Sequence, residues 1–136
     1  MSRADTERLI ADYYQAFNDG DMDTFLNLLT DDVQHDINQG GREVGKAAFA
    51  AFMERMNRNY RERLVDIQIM ANADGTRAAA EFVVLGEYLV TDEGLPEARG
   101  QQYRLPAGAF FELRDNKVAR ISNYYNLNDW VAQVSA

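Results

Sequence analysis

The sequence predicts an α+β fold in which three N-terminal helices pack on a strongly curved, mostly antiparallel sheet. Two observations predict it. Apolar residues recur every three or four positions up to about residue 63, and beyond that point they alternate with polar residues. The alternating segments are roughly nine to fourteen residues long, which exceeds the usual strand length, so the sheet must twist and curl. Helices lying across the concave face of such a sheet would give the domain the shape of a cone.

Three segments before residue 63 have the spacing of amphipathic helices. Their apolar faces consist of Leu9, Ile10, Tyr13, Tyr14 and Phe17 in the first, Met22, Phe25, Leu26 and Leu29 in the second, and Phe49, Phe52, Met53 and Met56 in the third. Residues 18–21 (NDGD) separate the first two, because glycine ends helices and aspartate caps them. The second helix is expected to end at residues 30–32. The third is expected to begin near Gly45 and to carry arginines up to Arg63 on its polar side.

One short strand is expected among the helices, and a meander of long strands follows them. The short strand covers residues 33–37. The long strands are expected around Val65, Ile67 and Ile69 and over residues 77–90, 102–113 and 118–126. Residues 91–100 (TDEGLPEARG) predict a loop that could act as a lid over the mouth of the cone. Residues 127–134 predict a terminal helical turn with Trp130 at the edge of the core.

Length, charge and residue usage exclude several classes of function. A chain of 136 residues fits a single domain, residues 1–136, with one core. Its net charge of −8 opposes binding to nucleic acid and to anionic membrane surfaces. Cysteine is absent, and one histidine with scattered carboxylates lacks metal-ligand spacing, so neither a metal nor a cofactor is expected. The N-terminus lacks the pattern of a secretory signal, so a cytoplasmic location is expected.

Aromatic side chains predict what fills the cone. The candidates for its lining are Tyr13, Tyr14, Phe17, Phe52, Met56, Phe82, Tyr88, Tyr103, Phe111 and Tyr125. A buried tyrosine needs a partner for its hydroxyl, so several of them around a cavity would suit a mostly apolar ligand with one or two oxygens. The alternative is that these rings simply close the core.

Residues 31–45 (DDVQHDINQGGREVG) contain the only histidine of the chain, His35, close to three aspartates. Histidine titrates nearer to neutral pH than any other side chain, and carboxylates beside it can take part in proton transfer. If the protein catalyses a reaction, we expect the chemistry to begin in this stretch.

The order of elements, together with the stretch YYQAFNDGDMDTFLNLLTDDVQHD (residues 13–36), resembles the ketosteroid isomerase-like branch of the nuclear transport factor 2 superfamily. The stretch GLPEARGQQYRLPAGAFFELRDNKVARISNYYN (residues 94–126) is similar to the SnoaL-like polyketide cyclases. The resemblance covers residues 6–134 and implies a cone-shaped α+β domain. It does not select an activity, because this scaffold carries isomerases, cyclases, dehydratases, epoxide hydrolases and non-catalytic binding proteins.

The resemblance also implies roles for individual residues. Ketosteroid isomerases combine an aspartate base with a tyrosine and a protonated aspartate that bind the substrate oxygen. Tyr13 matches the tyrosine, since it lies five residues before the asparagine of the turn. Asp36 is the nearest match to the base. The protonated aspartate falls at about Ala109, so half of the oxyanion hole is missing and the resemblance does not imply the steroid reaction itself.

His35 and Asp36 are alternative candidates for the base, because neighbouring strand residues face opposite sides of a sheet. The isomerase pattern has one residue more between Asp32 and its catalytic aspartate than this chain has. If the chain is aligned to that pattern without a gap, Val33, His35 and Ile37 face inward, which agrees with burial of the apolar residues. A bulge would bring Asp36 inward instead. An inward His35 could act as a base or an acid without tuning, whereas Asp36 would need burial to raise its pKa.

Three functions follow from these alternatives. The first is an enzyme, an isomerase or cyclase that moves a proton next to a carbonyl, with His35 or Asp36 as base and Tyr13 or Tyr14 polarising the oxygen. The second is a non-catalytic protein that binds an apolar ligand in the same cone. The third is a structural dimer whose cone is only core. For all three, a homodimer through the outer face of the sheet is expected, as in this superfamily.

Overall fold

A computed structural model describes residues 1–136. The helices are α1 (Arg3–Asp19), α2 (Met22–Asn27), α3 (Lys46–Asn59) and α4 (Leu127–Ser135), and the strands are β1 (Leu29–Asp36), β2 (Arg42–Val44), β3 (Tyr60–Ala71), β4 (Arg77–Tyr88), β5 (Gln102–Arg114) and β6 (Lys117–Tyr125). The predicted α+β class, with three N-terminal helices and long strands after them, is confirmed. None of the helices combines the length and the apolar character that crossing a membrane requires.

The six strands form one sheet in the order β2-β1-β6-β5-β4-β3. The β1 and β6 strands pair in parallel, and all other neighbours are antiparallel. Register shifts interrupt the pairs of β1 with β6, β3 with β4, and β5 with β6, and such bulges increase the local twist. The sheet is not closed, so β2 and β3 are its edges, and its curved inner face forms the wall of a cone.

The hydrophobic core lies between this inner face and the helices. Helix α1 is fixed to the far edge of the sheet by the side chain of Asn18. Its Nδ2 atom donates to the carbonyl oxygen of Leu64 in β3 at 2.9 Å, and the Leu64 amide donates back to its Oδ1 atom at 2.9 Å. These two hydrogen bonds satisfy backbone groups of β3 that have no partner strand, since β3 is an edge. They place the aromatic face of α1 over the sheet.

Besides the boundary between α3 and β3, which lies at residues 59 and 60 and not after Arg63, three segments differ from the sequence prediction. Leu29, expected in the second helix, begins β1, because it pairs with Val118 of β6 and is fully buried. Residues 42–44, expected to lie in the connection to the third helix, form the edge strand β2 by pairing with Gln34, His35 and Asp36. The terminal segment forms a helix of nine residues instead of one turn. In the first two cases the structure is set by a partner strand and not by the local sequence.

The outer face of the sheet carries exposed aromatic and charged side chains. Phe110 and Tyr124 are both more than half exposed and pack edge to face with ring centroids 5.7 Å apart. Nearby, Glu112 forms ion pairs with Arg77 at 3.3 Å and with Arg120 at 3.2 Å. The homodimer expected through this face stays a prediction.

Candidate functional site

A cavity of about 230 Å³ lies between the inner face of the sheet and helices α1 and α3. Of the 27 residues that line it, 21 are hydrophobic, so a ligand would be held mainly by apolar contact. Its volume is below the range of roughly 300–1,000 Å³ typical of drug-sized ligands and above the 150 Å³ or so that holds benzene. The space therefore suits a molecule of one or two rings.

His35 lies on the wall of this cavity with only 2% of its surface exposed. Its ring stacks on Phe49 with centroids 4.3 Å apart and planes 4° from parallel. Phe52 contacts the same ring edge-on at 4.6 Å. Both phenylalanines belong to α3, so the packing of this helix on β1 fixes the orientation of the imidazole. Such a side chain is held in one position before any ligand arrives.

Burial determines the charge of His35. Removal from water lowers the pKa of the imidazole to about 4, and the negative charge of Asp36 offsets this only in part. The ring is therefore neutral at pH 7. The expectation that histidine could act here without tuning is wrong, because its surroundings already shift its titration well below neutral pH.

The nearest charged atom that faces the imidazole is Oε1 of Glu43, at 4.0 Å from Nδ1 of His35. Glu43 lies directly opposite His35 in the β1 and β2 pair. Both atoms are buried and neither has a hydrogen-bond partner. A carboxylate on this side favours the tautomer with its proton on Nδ1, which leaves the lone pair of Nε2 for a ligand.

Asp36 lies on the opposite face of the sheet, outside the cavity. The register pairs His35 with the buried Ile121 and Asp36 with Ser122. Asp36 accepts two hydrogen bonds from Arg42, at 2.6 and 3.0 Å, and one from Ser122 at 2.5 Å. Chiefly the Arg42 contact lowers its pKa to about 2, so it is an ionised structural carboxylate. The interpretation of Asp36 as a base that faces the pocket is wrong, since no bulge reverses the frame at this point.

We expect the substitution Asp36→Asn to weaken the fold and leave the chemistry of the cavity unchanged. A partly exposed ion pair contributes less than about 1 kcal/mol, and a side-chain hydrogen bond contributes a similar amount. The free energy of unfolding, measured by urea denaturation at pH 7, should therefore fall by about 1 kcal/mol. A folded variant that loses ligand binding or activity would contradict this assignment.

Tyr13 and Tyr14 of α1 lie on the cavity wall, with their rings edge to face at 5.1 Å. Burial raises the pKa of both hydroxyls far above neutral pH, so both keep their protons. The Tyr14 hydroxyl is buried and has no hydrogen-bond partner in the protein. A buried donor without an acceptor is destabilising.

The predicted lining residues divide into two groups. On the cavity wall are Tyr14, Phe17, Phe52, Met56, Phe82 and Tyr125, together with Tyr13 and His35. The remaining three, Tyr88, Tyr103 and Phe111, are buried in the core and do not line the cavity. Tyr88 donates its hydroxyl proton to the Pro96 carbonyl at 2.6 Å, Tyr103 donates to Glu62 at 2.5 Å, and Phe111 packs against Tyr13 at 5.6 Å. They support the wall from behind.

Several polar groups on the wall were not predicted as site residues. They are Asn38, Tyr60, Glu62, Asp92 and Asn123. Glu62 is a carboxyl among mainly apolar neighbours, and burial raises its pKa above the ordinary value. The sequence could have indicated Asn123 as a site residue, because it lies two residues from Ile121 and from Tyr125, on the same inward side of the strand. The described chain contains no group of three or more His, Asp or Glu side chains arranged to hold a metal ion.

The loop between β4 and β5 reaches the cavity through Asp92 and Leu95, in the position expected for a lid. It is attached to the end of α3 by Asp92, which accepts hydrogen bonds from the Tyr60 hydroxyl at 2.9 Å and from Asn59 at 3.3 Å. Tyr88 holds its other side through Pro96. The opening motion of a lid stays a prediction.

Comparison with known proteins shows that this chain is similar to several proteins of solved structure. A profile of SnoaL-like domains matches residues 10–121. A candidate polyketide cyclase from Pseudomonas putida is 67% identical, with a TM-score of 0.94 over 95% of this chain and 97% of that one. Candidate polyketide cyclases from Xanthomonas campestris and a Silicibacter species are 57% and 53% identical, with TM-scores of 0.94 and 0.96. The alignments cover 97% and 100% of this chain, and 98% and 99% of those chains, respectively. No curated protein matches the chain.

Proposed function

The chain belongs to the family of SnoaL-like domains, and we propose that it binds a small, mostly apolar carbonyl compound and moves a proton next to the carbonyl group, as an isomerase or a cyclase does. The solved relatives that are called candidate polyketide cyclases support the cyclase form of this reaction. The chemistry itself is argued from the residues on the cavity wall.

The main support for the proposal is the position of His35, whose neutral imidazole lies on the wall of an apolar cavity. Its Nε2 lone pair takes a proton from the carbon next to the carbonyl. The electrons of the C–H bond form a C=C bond, and the carbonyl π electrons move to the oxygen. The imidazolium formed in this step would be stabilised by Glu43 through the Nδ1 proton. Return of the proton to another carbon gives isomerisation, and attack of the enolate on a second carbonyl closes a ring.

The oxygen that becomes negative needs a hydrogen-bond donor. Tyr14 would provide one, because it lines the cavity and its protonated hydroxyl is buried without a partner. Tyr13 lies beside it. Donors fixed in a water-poor site stabilise a developing oxyanion more strongly than the same groups in water. The position that matches the acid of ketosteroid isomerases is Ala109, which is buried and has no donor in its side chain.

A second candidate function is ligand binding without catalysis. It is favoured by the lining, in which 21 of 27 residues are hydrophobic, and by the low basicity of His35. The two functions differ in a single observable property, the exchange of ligand protons with solvent.

Proton exchange in D2O tests the proposal. We expect one- and two-ring ketones with acidic α-hydrogens to lose their α-proton NMR signals faster with the folded protein than in buffer. The physical reason is that a base and an oxyanion donor in one cavity lower the barrier to enolisation. Urea-unfolded protein at the same concentration is the control. Binding shifts without exchange would favour the binding protein, and absence of both across the panel would reject the proposed function.

A further inference from the structure

Three residues on neighbouring strands form a row across the far side of the sheet from His35. Glu62 of β3 pairs with Gly86 of β4, and Gly86 pairs with Tyr103 of β5. His35 is on β1, and the strands β6, β5 and β4 separate β1 from β3 in the sheet. The cavity nevertheless has both His35 and Glu62 on its wall. Glu62 therefore lies on the side of the cavity opposite to His35, and Gly86 and Tyr103 lie behind it.

Gly86 leaves the space through which Tyr103 reaches Glu62. A Cβ atom at this position would lie 2.2 Å from Cζ of Tyr103 and 2.5 Å from its hydroxyl oxygen, which is well inside van der Waals contact. The ring of Tyr103 thus passes over β4, and its hydroxyl donates to Oε2 of Glu62 at 2.5 Å. Tyr103 is itself buried and packs edge-on against Trp130 at 5.9 Å. The carboxyl is held by a rigid side chain.

Glu62 differs from the other carboxylates of this part of the sheet. Its sequence neighbour Arg61 points to the outer face and pairs there with Glu87 at 2.9 Å. Glu62 has no cationic partner, and Tyr103 is its one hydrogen-bonding partner. The residue is exposed, and it lies on the wall of the cavity among mainly apolar side chains. Partial removal from water without a counter-charge disfavours the carboxylate form, so the pKa of Glu62 lies above its ordinary value.

We propose that Glu62 is a second proton-transfer residue of the cavity, which donates its proton to the ligand oxygen that gains negative charge, and that Tyr103 is its positioning residue. This inference rests on the proposed function, because it completes the proton transfer that begins at His35. It also restricts the ligand to compounds whose reacting oxygen lies on the side of the cavity away from the histidine.

The step balances without another reactant. When His35 removes a proton from carbon, an electron pair arrives on the ligand oxygen. The O–H bond of the Glu62 carboxyl breaks, its electron pair stays on Glu62 as a carboxylate, and a new O–H bond forms on the ligand. Tyr103 stabilises that carboxylate through Oε2. Reversal of both transfers, or exchange with water after release, restores neutral His35 and protonated Glu62.

Glu62→Gln and Tyr103→Phe test this assignment, with Glu87→Gln as matched control. Glu87 lies one residue from Gly86 but on the outer face, in the ion pair with Arg61. In the D2O exchange assay we expect Glu62→Gln to lower the rate about 100-fold, the lower end of what a positioned acid contributes. The wild-type rate should also fall as pH rises through the pKa of Glu62, and this pH limb should vanish in the variant. Glu87→Gln should behave as wild type.

A carboxyl NMR titration of the ligand-free protein supplies a readout that needs no activity. Burial raises the pKa of Glu62, and the hydrogen bond from Tyr103 partly opposes this. The signal that disappears in Glu62→Gln should therefore titrate above the ordinary glutamate range, and higher still in Tyr103→Phe. Exchange at the wild-type rate in Glu62→Gln would overturn the role of Glu62 and leave the proposed function intact. A wild-type protein that exchanges no α-proton would overturn both.

Discussion

The substitution His35→Gln is expected to reduce the rate of α-proton exchange by a factor of about 100 to 10,000, the contribution of a positioned general base. Glutamine retains a polar group between Phe49 and Phe52 but has no lone pair able to take a proton at neutral pH. The measurement is the loss of the α-proton NMR signal in D2O at saturating ketone. Ligand binding, followed by the same spectra, should change much less than the rate.

Two further variants separate the chemistry of His35 from its packing. Asp36→Asn alters the neighbouring residue on the other face of the sheet and should exchange at the wild-type rate. Glu43→Gln removes the charge 4.0 Å from Nδ1 and should lower the rate by less than His35→Gln does, because it acts only through the imidazole. If His35→Gln is folded and as fast as wild type, the base is a different group and the assignment of His35 is wrong.

The orientation of His35 and Asp36 could be predicted from the sequence in part. Alternation along β1 places the apolar set and His35 inward, and the structure has Val33 and His35 buried on that side. The family match to Asp36 failed because it depends on alignment to a single residue, and a shift of one residue moves a side chain to the other face. Burial of apolar residues is the stronger constraint, since it acts on several alternate residues of the strand and not on a single position.

Glu62 was missed because of a boundary. Residues 59–63 contain neither glycine nor proline, so the sequence predicts a longer helix with the arginines up to Arg63 on its polar side. In the structure α3 ends at Asn59 and β3 begins at Tyr60. Pairing of β3 with β4 overrides the local preference, because the segment pairs with β4 from Tyr60 to Ala71 with one register shift. If the strand begins at Tyr60, Glu62 and Leu64 lie on the same, inward side of it.

For the tyrosines, too, the sequence predicts the position of the rings better than the role of each hydroxyl. That Tyr13 and Tyr14 are buried follows from their helical spacing, and both line the cavity together with the more exposed Tyr125. Whether a given hydroxyl meets a ligand or a protein acceptor depends on contacts between distant segments, such as Tyr103 with Glu62. Composition predicts an apolar cavity with a few oxygens around it. It cannot assign those oxygens to catalysis, binding or structural support.

The second large effect concerns stability against acid. The folded protein holds His35 neutral with a pKa near 4, whereas the unfolded chain takes up the proton at about 6.5. Between these values the unfolded state binds more protons, so the free energy of unfolding falls as pH decreases. The stability that His35 contributes is complete above pH 6.5 and is lost towards pH 4, with a total of about 3 kcal/mol. Urea denaturation at half-unit steps from pH 7.5 to about 4 measures it.

The contribution of His35 can be isolated from that of the other titrating groups. Glu62 acts with the opposite sign, because its raised pKa makes the folded state lose stability as pH increases. Asp36, with a folded pKa of about 2 against an ordinary 3.8, acts below this window. Both residues are unchanged in His35→Gln, so the difference in pH dependence between wild type and this variant belongs to His35, with Glu43 as its facing carboxylate. Parallel pH profiles would show that the imidazole is hydrated and titrates normally. The neutral base required for the proposed reaction would then need no burial, and the packing of Phe49 and Phe52 around it would have no electrostatic role.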